Sequence, residues 1–255
     1  SFDGKFLHDI NMEGREYVRL QNDGCFYAIY NDFLYDKQKR GKEMVVYDGD
    51  GKELYNFRFR PKEGVRYPGI NFTLPVIYTY QNAIYYKNPL EQEINRIEKK
   101  KRKPVYKLDL HDLEKLNHEE DGKLVIDREK QVGGYQPNEI AKKKIYFQDI
   151  FELDHNMGIY YIQEDERRFA WYDKQNGKVC RVRSLQADKD GFTDDLEGGS
   201  PVLPNFLRNG KLVGVVPAPV LQEKVDPENV RGSLKRVMEE LLEEDNQVIQ
   251  IVTLK

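Results

Sequence analysis

Short alternations of apolar and polar residues, broken by frequent turns, run through most of the chain. Leu54-Tyr55-Asn56-Phe57-Arg58-Phe59-Arg60 alternates for much of its length, the pattern of a strand with one wet face. Met44-Val45-Val46-Tyr47 precedes it across a Gly-rich turn. Val76-Ile77-Tyr78-Thr79-Tyr80 and Ala83-Ile84-Tyr85-Tyr86 flank Gln81-Asn82, which predicts a hairpin. Further strands are predicted over 94–97, 105–110, 145–147, 159–162, 169–172, 179–182 and 212–216. The β-branched run 248–254 predicts a last strand, and such a strand needs a partner because an open edge invites aggregation.

One stretch has helical spacing instead. Val230, Leu234, Val237, Met238, Leu241 and Leu242 recur on one side, with Glu239, Glu240, Glu243 and Glu244 on the other. Asp226 suits the N-cap and Pro227 the first helical position, so a surface helix is predicted over 227–244.

A turn recurs between the strands. It reads Phe2-Asp3-Gly4-Lys5, then Tyr47-Asp48-Gly49-Asp50-Gly51-Lys52, then Tyr172-Asp173-Lys174-Gln175-Asn176-Gly177-Lys178. Asp caps such a turn and Gly supplies its positive φ. Gly4 and Gly51 are 47 residues apart, and Gly51 and Gly177 are 126 apart, three times 42. A period in the forties with several short strands per unit matches β-propeller blades. The predicted fold is all-β: a β-propeller of four-stranded blades, an incomplete or N-terminally truncated six-bladed ring. Four blades are expected at 25–60, 72–110, 144–185 and 201–255 within a single domain, 1–255. Residues 1–20 would close an earlier blade, and 111–142 would be a polar insertion or a strained blade edge.

The opening Phe2-Asp3-Gly4-Lys5-Phe6-Leu7 with Gly14-Arg15-Glu16-Tyr17 resembles the start of a blade in six-bladed propellers of the NHL/TolB-like kind. The match continues in Tyr85-Tyr86-Lys87, Glu93-Ile94-Asn95-Arg96-Ile97, Pro104-Val105-Tyr106-Lys107-Leu108-Asp109 and Trp171-Tyr172-Asp173-Lys174. It ends in Asp194-Asp195-Leu196-Glu197-Gly198-Gly199 and Glu243-Glu244-Asp245-Asn246-Gln247-Val248. The family it resembles is bacterial, exported, often lipid-anchored and mostly uncharacterised. The resemblance implies an extracytoplasmic address, in the periplasm or on the outer cell surface. It implies contact with a membrane only through a lipid anchor upstream of this chain. Its motifs belong to turns and strands, so they speak to fold more than to activity.

Composition then narrows the classes. Among 255 residues, 33% are charged, with 17 Tyr and 12 Phe, too aromatic a chain for disorder. Lys and Arg number 41 against 44 Asp and Glu, so a general nucleic-acid binder is not expected. The basic run Lys99-Lys100-Lys101-Arg102-Lys103 reads as a solvated hairpin tip. Two cysteines, Cys25 and Cys180, exclude a disulfide-dense scaffold and a four-cysteine zinc site. They read as two separate thiols, with a disulfide as the alternative.

No nucleophile elbow, phosphate loop or dinucleotide fingerprint is present. The residues expected at a propeller mouth are Tyr80, Asp154, His155, Trp171 and Asn205, which offer stacking surfaces and hydrogen-bonding groups. His8, His111 and His118 have no metal-ligand spacing. Asp188, Asp190, Asp194 and Glu197 fall at positions 3, 5, 9 and 12 of a calcium-type loop, but position 1 is Gln186. No cofactor is expected, and calcium is the metal these hard oxygens would suit. A solvated acidic turn is the competing reading.

Two functions follow. The first is a non-catalytic binding propeller that recognises a carbohydrate, a peptide or a partner protein. The alternative is a metal-dependent hydrolase of the lactonase type, which needs a metal in the central channel held by several blades. An intracellular interaction protein is a third reading.

Overall fold

The computed structural model describes residues 17–20, 24–29, 42–58, 75–88, 91–98, 100–109, 122–127, 132–137, 139–182, 191–208 and 211–253. Among them the chain is mostly antiparallel β-structure with three short helices. It divides into one unit of residues 1–150 with 161–165 and another of 151–160 with 166–255.

The first unit opens with a meander of β1 (Tyr17–Leu20), β2 (Phe26–Ile29), β3 (Lys42–Tyr47) and β4 (Glu53–Arg58), paired in that order. Among the described residues Tyr17–Leu20 is therefore the first strand of this sheet. The expectation that residues 1–20 close an earlier blade is corrected at this strand. β3 is apolar without alternation because it is buried on both faces: Met44 and Val46 join one core cluster and Val45 another. β4 keeps one face wet, with Phe57 in the core and Leu54 exposed.

The turn between β3 and β4 is the recurring one. Asp48 Oδ1 accepts from the N–H groups of Asp50 and Lys52 at 3.1 and 2.9 Å, and Gly51 takes φ 82°. The copy at 173–178 is built alike. Asp173 Oδ1 accepts from the N–H groups of Gln175 and Asn176 at 2.8 and 3.3 Å, and Gly177 takes φ 71°. The copy at Phe2–Lys5 lies outside the described residues.

The second meander is β5 (Val76–Tyr80), β6 (Ala83–Lys87), β7 (Glu93–Glu98) and β8 (Lys101–Lys107). Gln81 and Asn82 both have positive φ, 47° and 60°, as a two-residue hairpin turn requires. Ile77, Ile84 and Tyr86 pack with Tyr27, Met44, Val46 and Phe57 of the first sheet, so the two sheets share one core. Of the basic run, Lys100 stands in the turn before β8 and Lys101, Arg102 and Lys103 open that strand. Arg102 turns inward, 5.8 Å from the Phe57 ring and 5.7 Å from the Tyr86 ring. Lys101 and Lys103 stay exposed.

Lys87, at the end of β6, is wholly buried. Its Nζ donates to the carbonyls of Asn88 and Glu91 and stands 4.5 Å from the centre of the Phe147 ring. Burial pushes its pKa down from 10.5 to about 7, against the opposing pull of the Glu91 carboxylate. Within 111–142, described as far as 122–127, 132–137 and 139–142, the chain forms a hairpin of β9 (Gly122–Asp127) and β10 (Val132–Pro137), then α1 (Glu139–Lys143).

The third meander is β11 (Tyr146–Glu152), β12 (Asn156–Gln163), β13 (Glu166–Asp173) and β14 (Val179–Val182), and the division between the units falls within it. In the second unit Phe151, Tyr160 and Phe169 form an aromatic core with Leu212, flanked by Trp171 and Phe192. The Tyr160 hydroxyl donates to the Pro204 carbonyl.

The last sheet has three strands: β15 (Phe206–Arg208), β16 (Lys211–Val216) and β17 (Val248–Val252). Two helices separate β16 from β17, α2 (Ala218–Lys224) and α3 (Gly232–Glu240). This corrects the single helix expected over 227–244. Asp226 does cap, but it caps a turn: its Oδ1 accepts from Glu228 N–H at 3.0 Å and its Oδ2 from Asn229 Nδ2 at 2.6 Å. Val225 and Val230 on either side are drawn into the core with Val216 and Leu221. The helix starts only where a distant side chain supplies its cap.

Candidate functional site

The β11–β12 turn sets Asp154 and His155 in solvent. The Asp173–Lys178 turn folds against it. Lys174 N–H donates to the His155 carbonyl at 2.8 Å, and Gln175 Nε2 lies 3.1 Å from His155 Nδ1.

Beneath this polar rim is a charge pair. Lys174 Nζ lies 2.6 Å from Glu152 Oε1 and donates to the Leu153 carbonyl, also at 2.6 Å. The Glu152 side chain is 0% exposed, while that of Lys174 is 16% exposed. The pair ties the first hairpin turn of this sheet to its last. Asp154, His155 and Gln175 are thereby held on a fixed base, while Asn176 closes its own turn onto Asp173 Oδ2 at 2.7 Å. Such a corner can donate and accept hydrogen bonds to a polar ligand.

The other expected residues lie elsewhere. Trp171 is half-buried in the aromatic core, 4.8 Å from Phe192 edge-on and 6.0 Å from Phe151. Asn205 stands at the entry to β15, and its Oδ1 accepts from Val215 N–H at 2.8 Å. Tyr80 belongs to the first unit, where its hydroxyl accepts from Gln81 Nε2 at 2.9 Å and its ring lies 6.1 Å from Tyr85.

Asp188 and Asp190 lie outside the described residues, as do His8, His111 and His118. Asp194 closes a turn, with Oδ1 accepting from Leu196 and Glu197 N–H and Oδ2 from Gly199 N–H, each at 3.0 Å. Glu197 caps α3. Its carboxylate accepts from Ser233 N–H at 3.1 Å, Leu234 N–H at 2.9 Å and the Ser233 hydroxyl at 2.9 Å. These bonds, the Ser233 hydroxyl first, hold the Glu197 pKa below its ordinary value. Among the described residues no group of three or more His, Cys, Asp or Glu side chains is placed to hold a metal ion. Cys25 is half-buried and Cys180 exposed, and the two are not joined in a disulfide.

Glu152, Lys174 and Gln175 were not among the site residues expected from the sequence. The signal was there in part. An acid inside the apolar run Ile150–Leu153 needs a cation, and Lys174 sits in a turn whose shape the sequence predicts.

The model of a domain of unknown function, DUF4934, matches residues 1–253. The chain belongs to the DUF4934 family. No curated protein matches it. A solved structure from Bacteroides fragilis NCTC 9343, named "Putative exported protein", is similar with a TM-score of 0.57 and 15% identity. The match covers 94% of this chain and 66% of that one, so this DUF4934 chain spans about two thirds of the other's length. An endo-1,4-beta-xylanase from Bacteroides thetaiotaomicron VPI-5482 aligns at a TM-score of 0.29 and 12% identity, over 78% of this chain and 82% of that one. That score is too low to relate the folds. No helix among the described residues is long and apolar enough to cross a membrane.

Proposed function

We propose that this DUF4934 chain is part of an exported, non-catalytic β-propeller that binds a carbohydrate or a peptide through polar hairpin turns. The observation that carries the reading is the Asp154–His155–Gln175 corner, anchored on the buried Glu152–Lys174 pair. A rigid scaffold that fixes exposed hydrogen-bonding groups on loops is the usual form of a recognition surface. The meander sheets, with the first two sharing one core, support blades, and the greater length of the similar Bacteroides fragilis chain supports a larger ring. That protein's name supports the extracytoplasmic address.

The test is a screen of the immobilised chain against oligosaccharide and peptide arrays, alongside a His155→Ala/Gln175→Ala variant. Binding of one class, reduced at least about tenfold in the variant, is the expected result, since lost hydrogen bonds at a polar site cost about 1 kcal/mol or more each. Binding that the variant leaves unchanged overturns the assignment of the corner. Cleavage of a bound ligand, read by mass spectrometry, overturns the non-catalytic reading.

A further inference from the structure

Edge strands differ sharply in this protein. The last strand of each four-stranded sheet carries charge: Glu53 and Arg58 in β4, four basic residues and Pro104 in β8, Arg181 in β14. Lysines, prolines and bulges on an edge prevent it from pairing with another chain. β8 has all three, with a register irregularity between Ile94 and Asn95 of the facing strand. β17 has none of them. It reads Val248-Ile249-Gln250-Ile251-Val252, pairs only with β16 among the described residues, and ends a sheet of three strands. Ile249 and Ile251, on one face, are 65% and 63% exposed.

The sequence of β17 is a palindrome centred on Gln250. We propose that β17 pairs antiparallel with β17 of a second copy of this chain, about a two-fold axis through Gln250. A two-fold interface brings one patch against itself, so it requires self-complementarity. In this register Ile249 faces the other copy's Ile251, Val248 faces Val252, and Gln250 faces Gln250. These are the β-branched cross-strand pairs that stabilise sheets. The next position matches as well: Gln247 answers Thr253, two polar residues. Self-pairing of β8 would instead set basic residues against one another. The other copy's β17 extends the three strands that the described residues form, and the exposed isoleucines of the two copies meet on one face.

The experiment measures the mass of the chain in solution by light scattering over a micromolar range. The expected mass is that of two copies, and Ile249→Lys, an exposed change that spares the core, halves it without changing the far-ultraviolet circular dichroism. Register is read separately with Gln250→Cys in a Cys25→Ser/Cys180→Ser background, where oxidation yields a crosslinked pair. A single-copy mass for the unaltered chain overturns the proposal. A two-copy mass that survives Ile249→Lys, or a pair that never crosslinks at position 250, overturns it too.

Discussion

The Lys174 ammonium lies 2.6 Å from the Glu152 carboxylate, whose side chain has no contact with solvent. A buried charge that loses its partner is costly, at about 3–5 kcal/mol. Lys174→Met is therefore expected to lower stability by ~3 kcal/mol in urea unfolding. The double variant Glu152→Leu/Lys174→Met is expected to lose less than Lys174→Met alone. If Lys174→Met were neutral, the pair would not be the anchor of the corner.

Lys87 makes a prediction about alkali. Its folded pKa of about 7 lies below the ordinary 10.5. Below pH 7 the ammonium is charged in both states, and the full cost of burying it is present. Between about 7 and 10.5 the unfolded chain holds a proton that the folded chain lacks, so stability rises with pH across that window. The neutral amine keeps two N–H donors for the Asn88 and Glu91 carbonyls. Lys87→Met is expected to flatten the rise, by an amount of the order of several kcal/mol. Unfolding curves of the two proteins at pH 6 and 10 measure it, and parallel pH profiles would sink the idea.

Glu197 acts with the opposite sign. Its lowered pKa means that the α3 cap contributes above the ordinary carboxylate range and fades as pH falls through the depressed value. The residue is half-buried and its carboxylate is still reached by solvent, which screens it, so Glu197→Gln should cost ~1 kcal/mol or less at pH 7. The helical signal in circular dichroism should weaken in acid for the native chain and change little with pH for the variant.

Gly158, in the middle of β12, is a matter of space. A Cβ there would clash with the outer end of the Phe151 ring, at Cζ, Cε2 and Cε1. Gly158→Ala is expected to destabilise the chain by ~1–3 kcal/mol, as overpacking does, and Phe151→Leu in the same chain should recover part of the loss. Chemical denaturation of the single and double variants reads this coupling directly.

The hairpins were the legible part of the fold. Asp48 and Asp173 bond N–H groups two to four residues on, and Gly51 and Gly177 supply positive φ, so all the determinants lie within one turn. Long β-branched runs such as Val45-Val46 and Ile249 with Ile251 also reported themselves. Helix α3 was misplaced at its start because its cap comes from Glu197, 36 residues before Ser233. Local spacing pointed to Asp226 instead. The β9–β10 hairpin was missed because Gly133-Gly134 and polar flanks weaken its alternation. At the candidate site, the exposed His155 and Asp154 were read directly. The pair beneath them was not, since Glu152 and Lys174 are 22 residues apart and meet only once the sheet has formed.

The meander order of the sheets bears on how the chain acquires its structure. In each four-stranded sheet every strand pairs with the next one along the sequence. Closing such short loops costs little entropy, and contacts of short range form quickly. A growing chain can thus complete one sheet while the next is still being synthesised. The last sheet is the exception. Its third strand waits for the 31 residues that separate Val216 from Val248 in β16 and β17 to be made and α2 and α3 to form, which makes β17 the final piece to settle.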